Sequence, residues 1–408
     1  MVDDLPHAAI RRGLALLPVV LTGAMLLAQS IALLAPAGPR DANGIVKGHD
    51  FAHFYTLGVI ARSGELAHLY DSQALNDTMW RAVPETRYGI FLPLYGPHVA
   101  AAFAPLAALP YERAAQVWLL SSLVLYAAAA AGIVWLLPAS PVPRVVVALT
   151  LALNPALGPL VTSGQTSAVA LAALVIGWFA LTRRQPWAAG VALGLLWYKP
   201  TLVIGVAALL LAAGEWRMLA GFGAAALLQI ALGWMWAGTA ATVAYLRTMT
   251  GIVAAGGIPA SQPEHLHSLL GFWRLLLGPG APSLVLWIAS SLVVLAYARR
   301  VWRLAGSDSS LQIAALCLAA VLLAPHLYVY DLLLLSPALA ALWIWSERGP
   351  RLSGERILQW LVGLAAVAPL SDAIAAAAGI QLSTCVVTVL SVQCARALAR
   401  SHSDSPSG

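Results

Sequence analysis

Asp50 is the first residue whose type and setting could do chemistry. It stands in Gly48-His49-Asp50-Phe51, at the head of a short run of aromatic and apolar residues. A carboxylate there reads either as a helix N-cap or as a general base. Lys199 is the second: Tyr198-Lys199-Pro200 interrupts a long apolar stretch rather than flanking it. A lysine at mid-membrane costs about 2.5–3.5 kcal/mol on insertion scales, so it either snorkels to the interface or serves as a cation that neutralises a phosphate. His326 lies in Ala324-Pro325-His326-Leu327-Tyr328-Val329-Tyr330-Asp331 between two apolar segments. It reads as part of a polar helix end or as a group lining a functional cavity. Asp331, about one helical turn on, is placed to orient a cation or cap the turn. His265 and His267 precede Ser268-Leu269-Leu270-Gly271-Phe272-Trp273-Arg274. These read as a solvated loop leading into an interfacial helix with one snorkelling arginine, or as further donors to a charged ligand.

Other chemistries are poorly supported. His49 and His53 are four apart and would share a helix face, but there is no His-Glu-x-x-His pattern and no cysteine–histidine spacing of a zinc site. The three cysteines, Cys317, Cys385 and Cys394, sit in apolar stretches and read as small core residues. No P-loop, no dinucleotide glycine fingerprint and no Gly-x-Ser-x-Gly elbow occurs. No metal and no cofactor is expected.

The elements that position these residues follow from composition. Of 408 residues, 60% are hydrophobic and only 10% charged, well under the quarter typical of soluble domains. The mean hydropathy is +0.81. This excludes a cytosolic enzyme, a disordered chain and a disulfide-stapled secreted domain, and indicates an all-α polytopic membrane protein. The net charge of +6 is spread as single or paired arginines at the ends of apolar segments, so it carries topology rather than nucleic-acid affinity.

A crossing needs about 20 apolar residues. Segments at 13–35, 111–137, 143–161, 165–182, 218–236, 283–303, 309–325, 327–345, 356–370 and 374–395 qualify in whole or part. Splitting 187–213 at Lys199 into two half-spans brings the count to about 12. The split keeps Arg183, Arg184, Arg217, Arg299, Arg300, Arg303 and Arg348 on one side, with both termini, and leaves the short connections on the other side nearly free of Lys and Arg apart from Lys199. A signal peptide ending near Ala35-Pro36-Ala37 is disfavoured because the first apolar run is too long. Residues 1–400 are expected to form one integral membrane domain and 401–408 a disordered tail. Two long outer regions, 36–110 and 237–282, hold most of the histidines. Residues 50–63 are expected to form an amphipathic helix lying in the interface, and 92–109, broken by Pro93, Pro97 and Pro105 and followed by Pro110, an irregular segment.

Read in order, GHDFAHFYTLGVIARSGELAHLYD, FLPLYGPHVAAAFAPLAALP, AQVWLLSS, GQTSAVALAALVIGW, AAGVALGLLWYKPTLVIGVAALLL, HSLLGFWRLLL and APHLYVYDLLLLSPAL resemble glycosyltransferase family 87 over roughly residues 45–340. The best-known members of that family are polyprenol-phosphate-mannose-dependent α-mannosyltransferases. The chain departs from the family pattern at Tyr95-Gly96-Pro97, where Tyr-Pro-Pro is frequent, and at Ser167, where Asn is frequent.

The resemblance implies a GT-C membrane glycosyltransferase, a hexosyltransferase taking sugar from a polyprenyl-phosphate donor to a lipid-linked or glycan acceptor. Its site would face the periplasm from the cell inner membrane. Inverting, metal-independent transfer would use Asp50 as base, with His326, Lys199, Arg274 and His267 at the donor phosphate. His49, Gln165, Tyr328 and Asp331 would serve the sugar or acceptor. The expected partners are those substrates and membrane lipids, with no nucleic acid. The competing reading is a transporter or flippase for an anionic lipid-linked saccharide, which would carry charges near mid-membrane on several helices and repeats between its halves. Neither is evident. An assembly subunit would have no need of Asp50, Lys199 and His326 together.

Overall fold

Apolar runs punctuated by Pro and Gly fold here as a chain of helices, as backbone buried in lipid requires. The structure, a computed structural model, describes residues 40–42, 44–87, 89–259, 262–348 and 353–403 and a few positions between 23 and 38. The expected first span, 13–35, and most of the tail lie outside the described residues. Among those described there is no strand beyond an isolated bridge between Arg40 and Val46.

The first outer region builds its own small core. Helices α1 (His49–Ser63), α2 (Ser72–Ala82) and α3 (Pro97–Phe103) close around Phe51, Phe54, Leu75, Met79 and Phe103. The expectation for 50–63 is corrected here. Helix α1 is buried nearly all round, from Phe51 to Gly58 and at Ile60, because α2, α3 and the segment before α3 cover it on several sides. The proline-broken stretch is irregular only in part. Pro97 opens α3, and a 3-10 turn spans Leu106–Ala108. Ahead of α3 the extended backbone is satisfied by a side chain: the Asn76 carboxamide both accepts from Phe91 N–H and donates to Phe91 C=O.

The bundle follows: α4 (Tyr111–Leu136), α5 (Arg144–Ala152), α6 (Leu157–Ser163), α7 (Ser167–Thr182), α8 (Pro186–Gly194), α9 (Pro200–Ala213), α10 (Trp216–Ala254), α11 (Leu269–Leu277), α12 (Ala281–Ala305), α13 (Ser309–Leu323), α14 (Ser336–Ser346), α15 (Ser353–Val367), α16 (Asp372–Ala378) and α17 (Leu382–Ser403). Among the described residues, six stretches of helix are long and apolar enough to cross a membrane, or seven if the bent pair Glu355–Leu370 and Asp372–Ala378 is one span. Helices α7, α9 and α13 are apolar but shorter. Helix α13 lies at the centre, capped by the Asp308 side chain and buried along nearly its whole length.

Two breaks shape the site end. Around Lys199 the helix gives way to a 3-10 turn, Leu195–Tyr198, and Lys199 itself is non-helical (φ −123°, ψ 83°). Proline at 200 disfavours helix in the residue before it. The chain turns back there. Gly190 near the start of α8 packs on Met218, Gly194 on Phe222, and α9 ends two residues short of α10, so the start of α8 and the end of α9 share one end of the bundle. The second break is in α10, where Gly238 takes φ 78°, ψ 175° and kinks the helix. The portion after the kink leaves the bundle and meets the first outer region, with the Tyr70 and Tyr245 rings 5.6 Å apart. At the opposite end, Arg348 donates to Ala139 C=O and Arg299 to Ala212 C=O. Ala139 lies beyond the far end of α4, whose 26 residues span about 40 Å at 1.5 Å per residue.

Candidate active site

Asp50 lies in the first turn of α1, where the helix dipole favours a carboxylate. It is not the cap: Gly48 holds that position at φ 66° with no side-chain hydrogen bond. Three contacts fix this end of α1. Gly48 N–H donates to Thr162 C=O, and the Tyr111 hydroxyl lies 2.9 Å from both the Lys47 and Gly48 carbonyls. Helix α1 also presses against Gly164, where a Cβ would come within 2.7 Å of Phe51 Cβ and φ is +74°. Only glycine suits that position. Gly164 C=O in turn accepts from the Trp118 indole.

From Gly164 the chain runs Gln165-Thr166-Ser167 into α7, and each residue has a task. Gln165 donates its amide to Asp50 Oδ2 at 2.8 Å. Thr166 C=O accepts from the Tyr198 hydroxyl at 2.8 Å. Ser167 donates to Asp331 Oδ1 at 2.5 Å. Asp331 also takes Lys199, whose Nζ is 2.6 and 2.8 Å from its two oxygens. The Lys199 and Asp331 side chains are 10% and 1% exposed, so this is a buried ion pair, and burial makes the partnership obligatory. One four-residue bend therefore holds a carboxylate on one side and an ammonium–carboxylate pair on the other.

The remaining expected residues separate. Asp50 keeps Oδ1 with the half-exposed His49 ring, 3.4 Å away. His326 stands beside Tyr328 with rings at 4.9 Å. Burial first, and then Lys199, pull the His326 pKa down to about 4 against the opposing pull of Asp331. It is uncharged at neutral pH and can give one hydrogen bond, not a charge. The Tyr328 phenol is pushed up by burial, then by the carboxylates of Asp50 and Glu264, so it stands within electrical reach of both outer regions. Thr166 Oγ1, His49 Nδ1 and His326 Nδ1 are buried without a hydrogen-bond partner among the described residues. Unpaired polar atoms are rare in folded proteins and mark places where a ligand's polar groups fit.

Three expected residues make contacts within the protein. Asp331 holds Lys199 and Ser167. Arg274 donates to the Gly256 and Ile258 carbonyls, which clamps the loop after α10. His267 is fully buried, with Nδ1 2.7 Å from Ser383 Oγ and Nε2 2.9 Å from Asp372 Oδ1. Gln165 is partly redirected: its amide supports Asp50, and its Oε1 accepts from Thr166 N–H. Asp372 is the residue that sequence reading missed. It follows an apolar stretch as an ordinary helix-start aspartate, and only the 79° bend between α15 and α16 brings it to the site end.

Fold and site together define a helical membrane protein whose reactive side chains converge at one end of its bundle. The chain belongs to glycosyltransferase family 87: the family model matches residues 94–329, more than half of its length. It is accordingly a membrane glycosyltransferase. No curated protein and no solved structure gave a significant match. The matched range contains Gln165, Ser167, Lys199, His326 and Tyr328, while Asp50, Asp331 and Asp372 fall outside it.

Proposed function

We propose that the chain transfers a hexose, mannose in the first instance, from a polyprenyl-phosphate donor to a lipid-linked or glycan acceptor. The site faces the periplasm from the cell inner membrane, with both termini in the cytoplasm. The carrying observation is the Gly164–Ser167 bend, which ties Asp50 to Gln165 and, through Ser167 and Asp331, to Lys199.

In this reading an acceptor hydroxyl attacks the anomeric carbon on the face opposite the lipid phosphate. The new glycosidic C–O bond forms as the bond to the phosphate oxygen breaks, with inversion. The hydroxyl proton passes to Asp50, which Gln165 aims, and the bonding electrons leave with the phosphate. A phosphodiester monoanion becoming a monoester dianion needs donors set in place beforehand. Lys199 offers its remaining N–H, His326 a neutral imidazole N–H and Tyr328 a phenol. Because Asp331 neutralises the ammonium, Lys199 acts as an oriented donor within a net-neutral pair. His49 and Thr166, with unpaired atoms beside the network, suit sugar or acceptor hydroxyls.

The test uses purified full-length chain in nanodiscs, synthetic polyprenyl-phosphate-mannose in the β configuration, and an alkyl mannoside acceptor. The expected product carries a new α-mannosyl linkage. A retained β configuration, or sugar supplied only from a nucleotide donor, would overturn the reading.

A further inference from the structure

The second polar cluster of the site end is not used by the mechanism above. Asp372, at the start of α16, holds two histidines of the second outer region: His265 Nδ1 is 2.9 Å from Oδ2, and His267 Nε2 is 2.9 Å from Oδ1. A second layer holds the aspartate. The Gln381 amide donates to Glu264 C=O at 2.6 Å and approaches Asp372 Oδ1 at 3.3 Å, while Ser371 donates to Gln381 Oε1 at 2.6 Å. The cluster is fastened to the site, since His267 N–H donates to Leu327 C=O, next to His326.

The two histidines differ in what is left over. His267 is wholly enclosed, with both nitrogens facing protein groups. The His265 side chain is 38% exposed and only Nδ1 is engaged, so Nε2 faces outward. A carboxylate on Nδ1–H fixes the tautomer and orientation of an imidazole, a second-shell arrangement familiar from metal sites and catalytic dyads. With Nδ1–H given to Asp372, neutral His265 presents a lone pair at Nε2, and protonated His265 presents a charged N–H.

We infer that His265, positioned by Asp372, is a phosphate-binding residue that takes the anionic head of a lipid phosphate through Nε2–H. This rests on the proposed function for the identity of that lipid as a polyprenyl phosphate. Asp372 is a positioning residue. The C-terminal helices beyond the family-matched range thus contribute to the donor site.

Binding of polyprenyl phosphate to the full-length chain in phosphatidylcholine nanodiscs tests this, with uncharged polyprenol as control. His265→Gln should weaken binding about tenfold, the worth of one charge-assisted hydrogen bond, with an unchanged melting temperature and unchanged polyprenol binding. Asp372→Asn should weaken it too, and should add nothing further in the His265→Gln background. Competition by phosphatidylglycerol, or by inorganic phosphate, through the same His265-dependent site would support the site and identify the other source of phosphate it takes. Wild-type affinity in His265→Gln, or additive losses in the double variant, overturns the inference. A chain that binds the phosphate in this way but transfers no sugar overturns the transfer mechanism instead and leaves this site in place.

Discussion

Asp50 and Lys199 stand at the site end on either side of one bend, Asp50 held by Gln165 and Lys199 held by Asp331, which Ser167 of the bend orients. Replacing Asp50 by Asn removes the proton acceptor but keeps a group that Gln165 can still meet. Transfer should fall by about 10²–10⁴-fold, the range of a general base, with an unchanged melting temperature. Near-normal turnover would remove Asp50 from that role. The buried pair gives a second residue-level expectation. Asp331→Asn or Lys199→Met alone strands a buried charge and should cost about 3–5 kcal/mol. The double variant Lys199→Met/Asp331→Leu should recover most of that stability by thermal unfolding and none of the activity. Equal stability of single and double variants would mean the pair is not coupled. Position in the sequence made both Asp50 and Lys199 visible, because a charge inside an apolar stretch is conspicuous. Asp331 was legible as a residue placed to orient a cation; what could not be read was that this cation would be Lys199, 132 positions away.

At the scale of elements, the site depends on how closely α1 approaches the α6–α7 turn. Gly164→Ala would place a Cβ 2.7 Å from Phe51 Cβ at φ +74°. The helix must retreat, and Asp50 with it. A misplacement of about 1 Å can cost about 100-fold in rate, so kcat should drop sharply while binding of polyprenyl phosphate, which the proposed function places at the other side of the bend, changes little. Loss of that binding in the same proportion would show the two sides are not separately positioned. The helical spacing of Phe51, Phe54, Tyr55 and Val59 suits an interfacial helix, and sequence cannot tell lipid from a second protein layer. The turn-back at Lys199 was legible, since a Lys-Pro pair at the centre of 27 residues from 187 to 213 suits neither one straight helix nor lipid. The outward swing at Gly238 was legible only as the point where the apolar run ended.

Over the whole molecule, three histidines contribute to the response to acid. Burial pulls His53, His98 and His326 from an ordinary value of 6.5 to about 4. The folded protein therefore binds fewer protons than the unfolded chain between those values. Stability is intact above pH 6.5 and lost as pH falls through about 4. His53 is the most enclosed; its rings stack on Phe91 at 5.1 Å, and at 1.36 kcal/mol per pH unit it alone should contribute about 3 kcal/mol to that loss. Melting temperatures in detergent should decline from pH 7 to pH 4.5, and His53→Phe should blunt the decline. A flat profile would mean these rings are charged in the fold. Sidedness is checked at the same scale: in a cysteine-free background, single cysteines at 50 and 265 should react with an impermeant maleimide added from the periplasmic side, and one at 184 should not. Labelling at 184 from that side would invert the proposed orientation.

Composition and apolar run length by themselves determined that this chain lives in a membrane, that it is helical, and where its polar interruptions fall. These are local, additive properties of a sequence in lipid, where each segment must satisfy its own backbone. Tertiary structure alone decided which interruptions meet. Asp50 finds Gln165 across 115 positions, Lys199 finds Asp331 across 132 and His265 finds Asp372 across 107. Such pairings depend on helix bends and on close approach at a few glycines. A bend at Ser371 moves an aspartate through most of a right angle, and no periodicity records where it will point.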